Sequence, residues 1–153
     1  DCEVEQSSTH FVFMPQPYNA TSLMAWNMAI SIGRTELDVL DEEGAVVTYG
    51  SLLSSPDMST LLFYGGRGVY LCDASTIDAG RSTVTVQTLY ESSAHDTHYA
   101  AFTPDSGYIV VATEGWIGMY TTDTFERVVM DSSAVVDADD LKRVLDVHVV
   151  DLP

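Results

Sequence analysis

The apolar positions of the chain fall into short runs separated by turn residues, and most runs have the composition of strands. Thr60-Leu61-Leu62-Phe63-Tyr64 leads through Gly65-Gly66-Arg67-Gly68 into Val69-Tyr70-Leu71-Cys72, which predicts a hairpin closed by a glycine-containing turn. Tyr108 to Ala112, then Glu114-Gly115, then Trp116 to Tyr120 predict a second hairpin. Ser82 to Leu89 alternates polar with β-branched or apolar residues, the mark of one half-buried strand. Arg127 to Met130 adds a further short strand. Upstream, Met24 to Ile32 is apolar apart from Asn27 and Ser31, and we read it as a strand. Gly33-Arg34 breaks it, and Glu36 to Leu40 follows with alternation. Helical character is concentrated in one place. Asp137 to Leu145 has acids at its start and bases toward its end, with Asp137 as a candidate N-cap, which predicts a short helix near the C-terminus.

These segments repeat. Ser55-Pro56-Asp57 and Thr103-Pro104-Asp105 are the same turn signal, and Pro56 stands as far before Cys72 as Pro104 stands before Tyr120. Both copies run turn, apolar strand, glycine-containing turn, apolar strand. A looser copy precedes them: Met24 to Ile32, Gly33-Arg34, then Leu37 to Leu40. The three copies end in Leu40-Asp41, Cys72-Asp73 and Tyr120-Thr121. Longer connections are expected at Asp78–Arg81 and at Tyr90–His98.

At Ala101-Phe102-Thr103-Pro104-Asp105-Ser106-Gly107-Tyr108 and Trp116-Ile117-Gly118-Met119-Tyr120 the chain resembles a WD-repeat blade, over about residues 24–130. There the first strand ends in a Phe-Ser-Pro-Asp-Gly-type turn and the third in Trp-Asp. This chain departs from the pattern. It has no Trp-Asp dipeptide and no Gly-His dipeptide, although His95 and His98 lie near the latter's place. Glu114 stands where the family's turn Asp would be. The resemblance implies an all-β, mainly antiparallel fold of three to four propeller-like blades. Closed propellers have about four to eight. Further blades or another chain would therefore complete the ring. A compact polo-box-like β module, with strands followed by the short helix, is the alternative architecture.

Charge and composition narrow the function. Six Lys and Arg against 23 Asp and Glu give a net charge of −17, which argues against nucleic acid and anionic membrane as partners. The same charge makes a basic protein partner the natural electrostatic complement, although acids also serve solubility. Hydrophobic residues make up 46% of the chain, enough for a core. No apolar run is long enough for a spanning helix. Cys2 and Cys72 are too sparse for a disulfide framework, and Cys72 reads as a small buried hydrophobe. The chain starts at Asp1 without a charged-then-apolar leader, so we expect a processed form or a segment cut from a longer protein, in a reducing intracellular compartment, cytoplasmic or nuclear. The sequon Asn19-Ala20-Thr21 would matter only in a secretory setting.

Candidate chemistry is thin. His95-Asp96-Thr97-His98 has permissive ligand spacing but no second cluster, and reads more simply as a polar loop entering a strand. No Gly-x-Ser-x-Gly elbow accompanies the many Ser and Asp residues. Asp41-Glu42-Glu43 and Asp139-Asp140 read as solvated charge runs rather than paired catalytic acids. Gly65-Gly66-Arg67-Gly68 lacks the lysine of a phosphate-binding loop. By analogy with propellers, the turns between second and third strands would display Arg34, Arg67 and Trp116, with Tyr64 and Glu114 nearby. Arg and Trp are enriched among interface hot spots, against the simpler reading that Trp116 packs on a neighbouring blade and the arginines offset acids. The expectation is a non-enzymatic protein-interaction or assembly scaffold with no catalytic residues, cofactor or metal. Competing expectations are a polo-box-like module binding protein or phosphopeptide, and a fragment of a propeller hydrolase.

Overall fold

The computed structural model describes residues 10–15, 19–27, 35–78, 80–92, 97–113 and 116–128. Within them the protein is all-β and mainly antiparallel. Strands β1 (His10–Phe13), β2 (Ser22–Asn27), β3 (Thr35–Leu40) and β7 (Thr83–Thr85) form the first sheet. Strands β4 (Ser51–Ser54), β5 (Thr60–Gly65), β6 (Gly68–Asp73) and β8 (Gln87–Glu91) form the second. Strands β9 (Thr97–Phe102), β10 (Tyr108–Thr113), β11 (Trp116–Thr121) and β12 (Arg127–Val128) form the third. Only the β3–β7 pairing is parallel. A single 3-10 turn, Ala74–Thr76, is the helical content among the described residues. The expected helix at Asp137 to Leu145 and the end of the Arg127 to Met130 strand lie outside them. Among the described residues the three sheets do not close into a ring.

The apolar patterning explains the order of packing. In β3 the sequence alternates, and so does burial: Leu37 and Val39 are buried while Glu36 and Asp38 face water. Such a strand has one covered face. In β5 and β6 the apolar run is continuous, and both faces are covered. Leu61, Phe63, Tyr70 and Cys72 pack with Leu23, Leu37, Val39 and Val84 of the first sheet. Their neighbours Leu62, Val69 and Leu71 pack with Ala100, Ile109 and Val111 of the third. The second sheet is therefore the middle layer. Fully burying each such side chain contributes about 1.5–3 kcal/mol.

The hairpins fall where the sequence puts them. Thr60 pairs with Asp73 and Gly65 with Gly68, leaving the two-residue turn Gly66-Arg67. Gly66 takes φ 57° and Arg67 stays at negative φ, the arrangement a II′ turn needs. Tyr108 to Thr113 pairs with Thr121 to Trp116 in the same way. In the first sheet Leu23 opposes Leu37, so the loose first copy is also a hairpin, and its turn at Gly33-Arg34 lies outside the described residues.

The segment Ser82 to Leu89 corrects one expectation. It is two strands, not one. Asp38 N donates to Ser82 O and Val86 N to Leu40 O, which hold β7 on the first sheet. After Val86 the chain turns to the second sheet, where Gln87 opposes Leu71. The alternation is real, since Val84 and Val86 are buried while Thr83, Thr85 and Gln87 are exposed. A period of two reports which face is covered, not which strand supplies the hydrogen bonds.

The repeated turns match atom for atom. Ser55 Oγ donates to Asp57 Oδ1 at 2.6 Å, and Thr103 Oγ1 donates to Asp105 Oδ1 at 2.6 Å. Thr60 N donates to Ser55 Oγ and Tyr108 N to Thr103 Oγ1, each at 3.0 Å. Met58 and Ser106 occupy the same left-handed position, φ 61° and 60°. Asn19 (φ 51°) stands two residues after Pro17, as Met58 follows Pro56 and Ser106 follows Pro104. The two complete turns also touch: Asp57 N donates to Ser106 Oγ at 3.2 Å, joining the second and third sheets at one end. The residues closing each third strand cap the next turn. Asp41 Oδ1 accepts from Glu43 N and Ala45 N, Asp73 Oδ1 from Ser75 N, and Thr121 Oγ1 from Glu126 N.

Candidate functional site: a cavity between the first two sheets

The chain between β3 and β4 does not lie on the sheet surface. After the Asp41 turn it folds back, so that Val47 N donates to Val39 O and Ala20 exchanges both backbone hydrogen bonds with Tyr49. Tyr49 anchors it. Its ring meets Phe63 edge to face, with centroids 5.0 Å apart, and its hydroxyl donates to Ser22 O at 2.6 Å. Burial pushes the Tyr49 hydroxyl well above the ordinary phenol range. Gly50 then passes against Gly65, where a Cβ would lie 2.8 Å from Gly50 N and where φ is 127°. Only glycine serves at that crossing.

Between this loop and the Gly66-Arg67 turn lies a cavity of about 540 Å³. Its walls include Val46, Thr48, Tyr64, Arg67, Tyr70 and Glu91, with Asp41 beside them. The Asp41 turn is clamped to the second sheet from outside. Thr88 N donates to Glu42 Oε1 at 2.6 Å and Thr88 Oγ1 to Glu42 Oε2 at 2.9 Å. Burial pulls the Glu42 carboxyl upward, but the hydrogen bonds from its own backbone and from Thr88 outweigh this and leave it below its ordinary value.

Tyr70 is a second buried phenol of the lining, beside Tyr49. It is 7% exposed, and its ring packs in the core between the first two sheets. Gly68 makes this possible, since a methyl there would overlap the hydroxyl end of the Tyr70 ring. Burial, then the negative charges of Glu91, Asp41 and Glu42, push its hydroxyl up to about 12, so it keeps its proton. Arg67 is exposed, and among the described residues it makes no ion pair, whereas Arg81 stands 3.8 Å from Asp78.

The structure brings two of the residues singled out from sequence into this cavity, Tyr64 and Arg67. Tyr64 also meets Tyr99 across the sheets, with centroids 6.3 Å apart. Trp116 opens β11 opposite Thr113, in the third sheet. Arg34 and Glu114 lie outside the described residues, as does His95. Sequence reasoning missed the opposite wall. Val46 and Thr48 sit in a segment with no strand pattern, and the signal that could have found it is the glycine pair Gly50 and Gly65. Cys72 is a buried free thiol, pushed up to about 12 by burial. Among the described residues no group of three or more His, Cys, Asp or Glu is placed to hold a metal ion. No helix among them is long and apolar enough to cross a membrane.

The chain matches no protein-family model. A comparison with curated proteins likewise finds no match.

Proposed function

We propose that the protein is a non-enzymatic protein-interaction or assembly module built from propeller-like blades, and that a partner docks at the cavity between the first two sheets. One observation carries this. Val46 is 62% exposed at the rim and stands with the exposed Arg67 and the half-buried Tyr64 around one concavity. An exposed apolar side chain beside an arginine and an aromatic ring has the make-up of an interface hot spot. The blade reading is supported by the matching turns of the second and third sheets and by the antiparallel meander that each sheet makes, β4-β5-β6-β8 and β9-β10-β11-β12. The same reading puts the protein in a reducing, intracellular compartment, in keeping with the free thiol of Cys72.

The test is affinity capture of partners from cell extract with the wild type, Val46→Asp and Arg67→Ala. Both positions are exposed, so both variants should melt within about 2 °C of the wild type, as surface changes do. Val46→Asp should abolish capture and Arg67→Ala weaken it. Unchanged capture by both variants would remove the cavity from the interaction.

A further inference from the structure

The cavity has a chemical character that the general reading above does not use. Tyr70 is more than nine-tenths buried, and its hydroxyl has no hydrogen-bond partner among the described residues. It is not sealed off either. Thr113 Oγ1 is the one side-chain nitrogen or oxygen there that is both closed to solvent and unpaired, so the Tyr70 hydroxyl keeps some access to solvent, and Tyr70 lines the cavity. A buried hydroxyl left unpaired costs about 1–3 kcal/mol unless something meets it. The groups around it are acidic. The Glu91 carboxylate makes no hydrogen bond or ion pair among the described residues, and Asp41 Oδ1 is spent on its own turn while Oδ2 is free of partners there. Arg67 is the one base of the lining, and it stands exposed at the turn.

We propose that the cavity receives the cationic side chain of a basic protein segment, a lysine ammonium or an arginine guanidinium. The Tyr70 hydroxyl accepts one of its N–H groups, and Glu91 and Asp41 supply the counter-charge. The proposal rests on the interaction reading above and names the chemistry of the partner. An ammonium has three donors and no acceptor, and it matches a site that offers a hydroxyl oxygen and two carboxylates. The −17 charge of the chain adds long-range attraction for any such segment. Arg67 at the rim then donates to backbone carbonyl oxygens of the bound segment, the contact that Arg67→Ala removes, and selects against a second base entering beside the first.

The experiment uses the full chain and two fluorescein-labelled peptides, one of alternating lysine and glycine and one of alternating glutamine and glycine, read by fluorescence anisotropy at low salt. The lysine peptide should bind and the glutamine peptide should not. Tyr70→Phe, which keeps the ring and removes only the hydroxyl, should weaken the lysine peptide about two- to ten-fold, the range for one hydrogen bond. Glu91→Gln should weaken it by at least as much. Asp38→Asn makes the same charge change on the exposed outer face of β3 and should leave binding within about two-fold. Equal losses in Asp38→Asn and Glu91→Gln would show attraction to net charge alone and overturn the proposal. Indifference to both Tyr70→Phe and Glu91→Gln would overturn it as well. If that indifference is found while Val46→Asp still abolishes partner capture, the interaction reading stands and the cationic ligand falls. If capture survives Val46→Asp too, both fall.

Discussion

Gly68→Ala tests the packing that shapes the cavity. Gly68 is buried in β6 and has no positive φ, so its backbone would accept alanine. Its only obstacle is Tyr70, two residues on and on the same face, whose ring end would overlap the new methyl. Overpacking of this kind costs about 1–3 kcal/mol. Where the ring is absent the same change should stabilise by about 0.5–1 kcal/mol, because alanine loses less freedom than glycine on entering a strand. A double-mutant cycle with Tyr70→Val, which replaces the ring by a short β-branched side chain, should therefore show a coupling of about 1.5–4 kcal/mol. The assay is urea unfolding of the wild type, the two single variants and the double variant, followed by tryptophan fluorescence. For a chain of this size 1 kcal/mol corresponds to about 2–4 °C in melting temperature, so thermal scans give an independent reading. If Gly68→Ala costs the same with and without the ring, the contact between Gly68 and Tyr70 is not what reserves that position for glycine.

Three further outcomes follow from the same structure. Leu62→Ala, at a fully buried position between the second and third sheets, should cost about 2–5 kcal/mol in urea unfolding, whereas Met58→Ala, 74% exposed in the turn before β5, should cost under about 0.5 kcal/mol. Asp57 and Asp105 are held below their ordinary value of 3.8, chiefly by the Ser55 and Thr103 hydroxyls; the folded state thus binds fewer protons than the unfolded one, and their stabilisation is present above about pH 4 and is lost as pH falls through the lowered values. Melting temperatures from pH 6 to pH 2.5 should fall less steeply for Asp57→Asn/Asp105→Asn than for the wild type, and parallel curves would refute the assignment. In a Cys2→Ser background Cys72, pushed up to about 12 and buried, should resist a disulfide reagent at pH 8, where roughly one molecule in ten thousand carries the thiolate, and react at once in urea.

Legibility differed between local and distant contacts. Gly65-Gly66-Arg67-Gly68 and the paired Ser-Pro-Asp and Thr-Pro-Asp turns are local devices, in which the residues that shape the backbone sit next to one another. The hairpins and the repeated turns were accordingly readable one segment at a time. The cavity was not. Its walls come from Asp41 to Ser51, the Gly66-Arg67 turn and Glu91, and no single stretch of chain carries their proximity. Arg67 and Tyr64 entered the candidate set because they lie in or beside a turn, while Tyr70 read only as part of a strand. Tyr70 belongs to both the core and the cavity lining, with its ring end laid over Gly68.

The split at Val86 shows how the middle sheet comes to be covered on both sides. A strand that stayed wholly in the second sheet would leave the first sheet without its fourth strand. Because Val86 N still bonds to Leu40 O while Gln87 already pairs with Leu71, the same extended segment ends the first sheet and edges the second. Val84 and Val86 then fill the core between them from a single face. Glu42 reaches the same segment from the other direction through Thr88. The acids at the strand ends thus divide by task. Asp41, Asp73 and Asp105 shape turns, Glu42 ties two sheets together, and Glu91 remains without a structural partner among the described residues. A charge excess that reads as solubility along the sequence includes a carboxylate, Glu91, that lines with an unpaired phenol a cavity both sheets build.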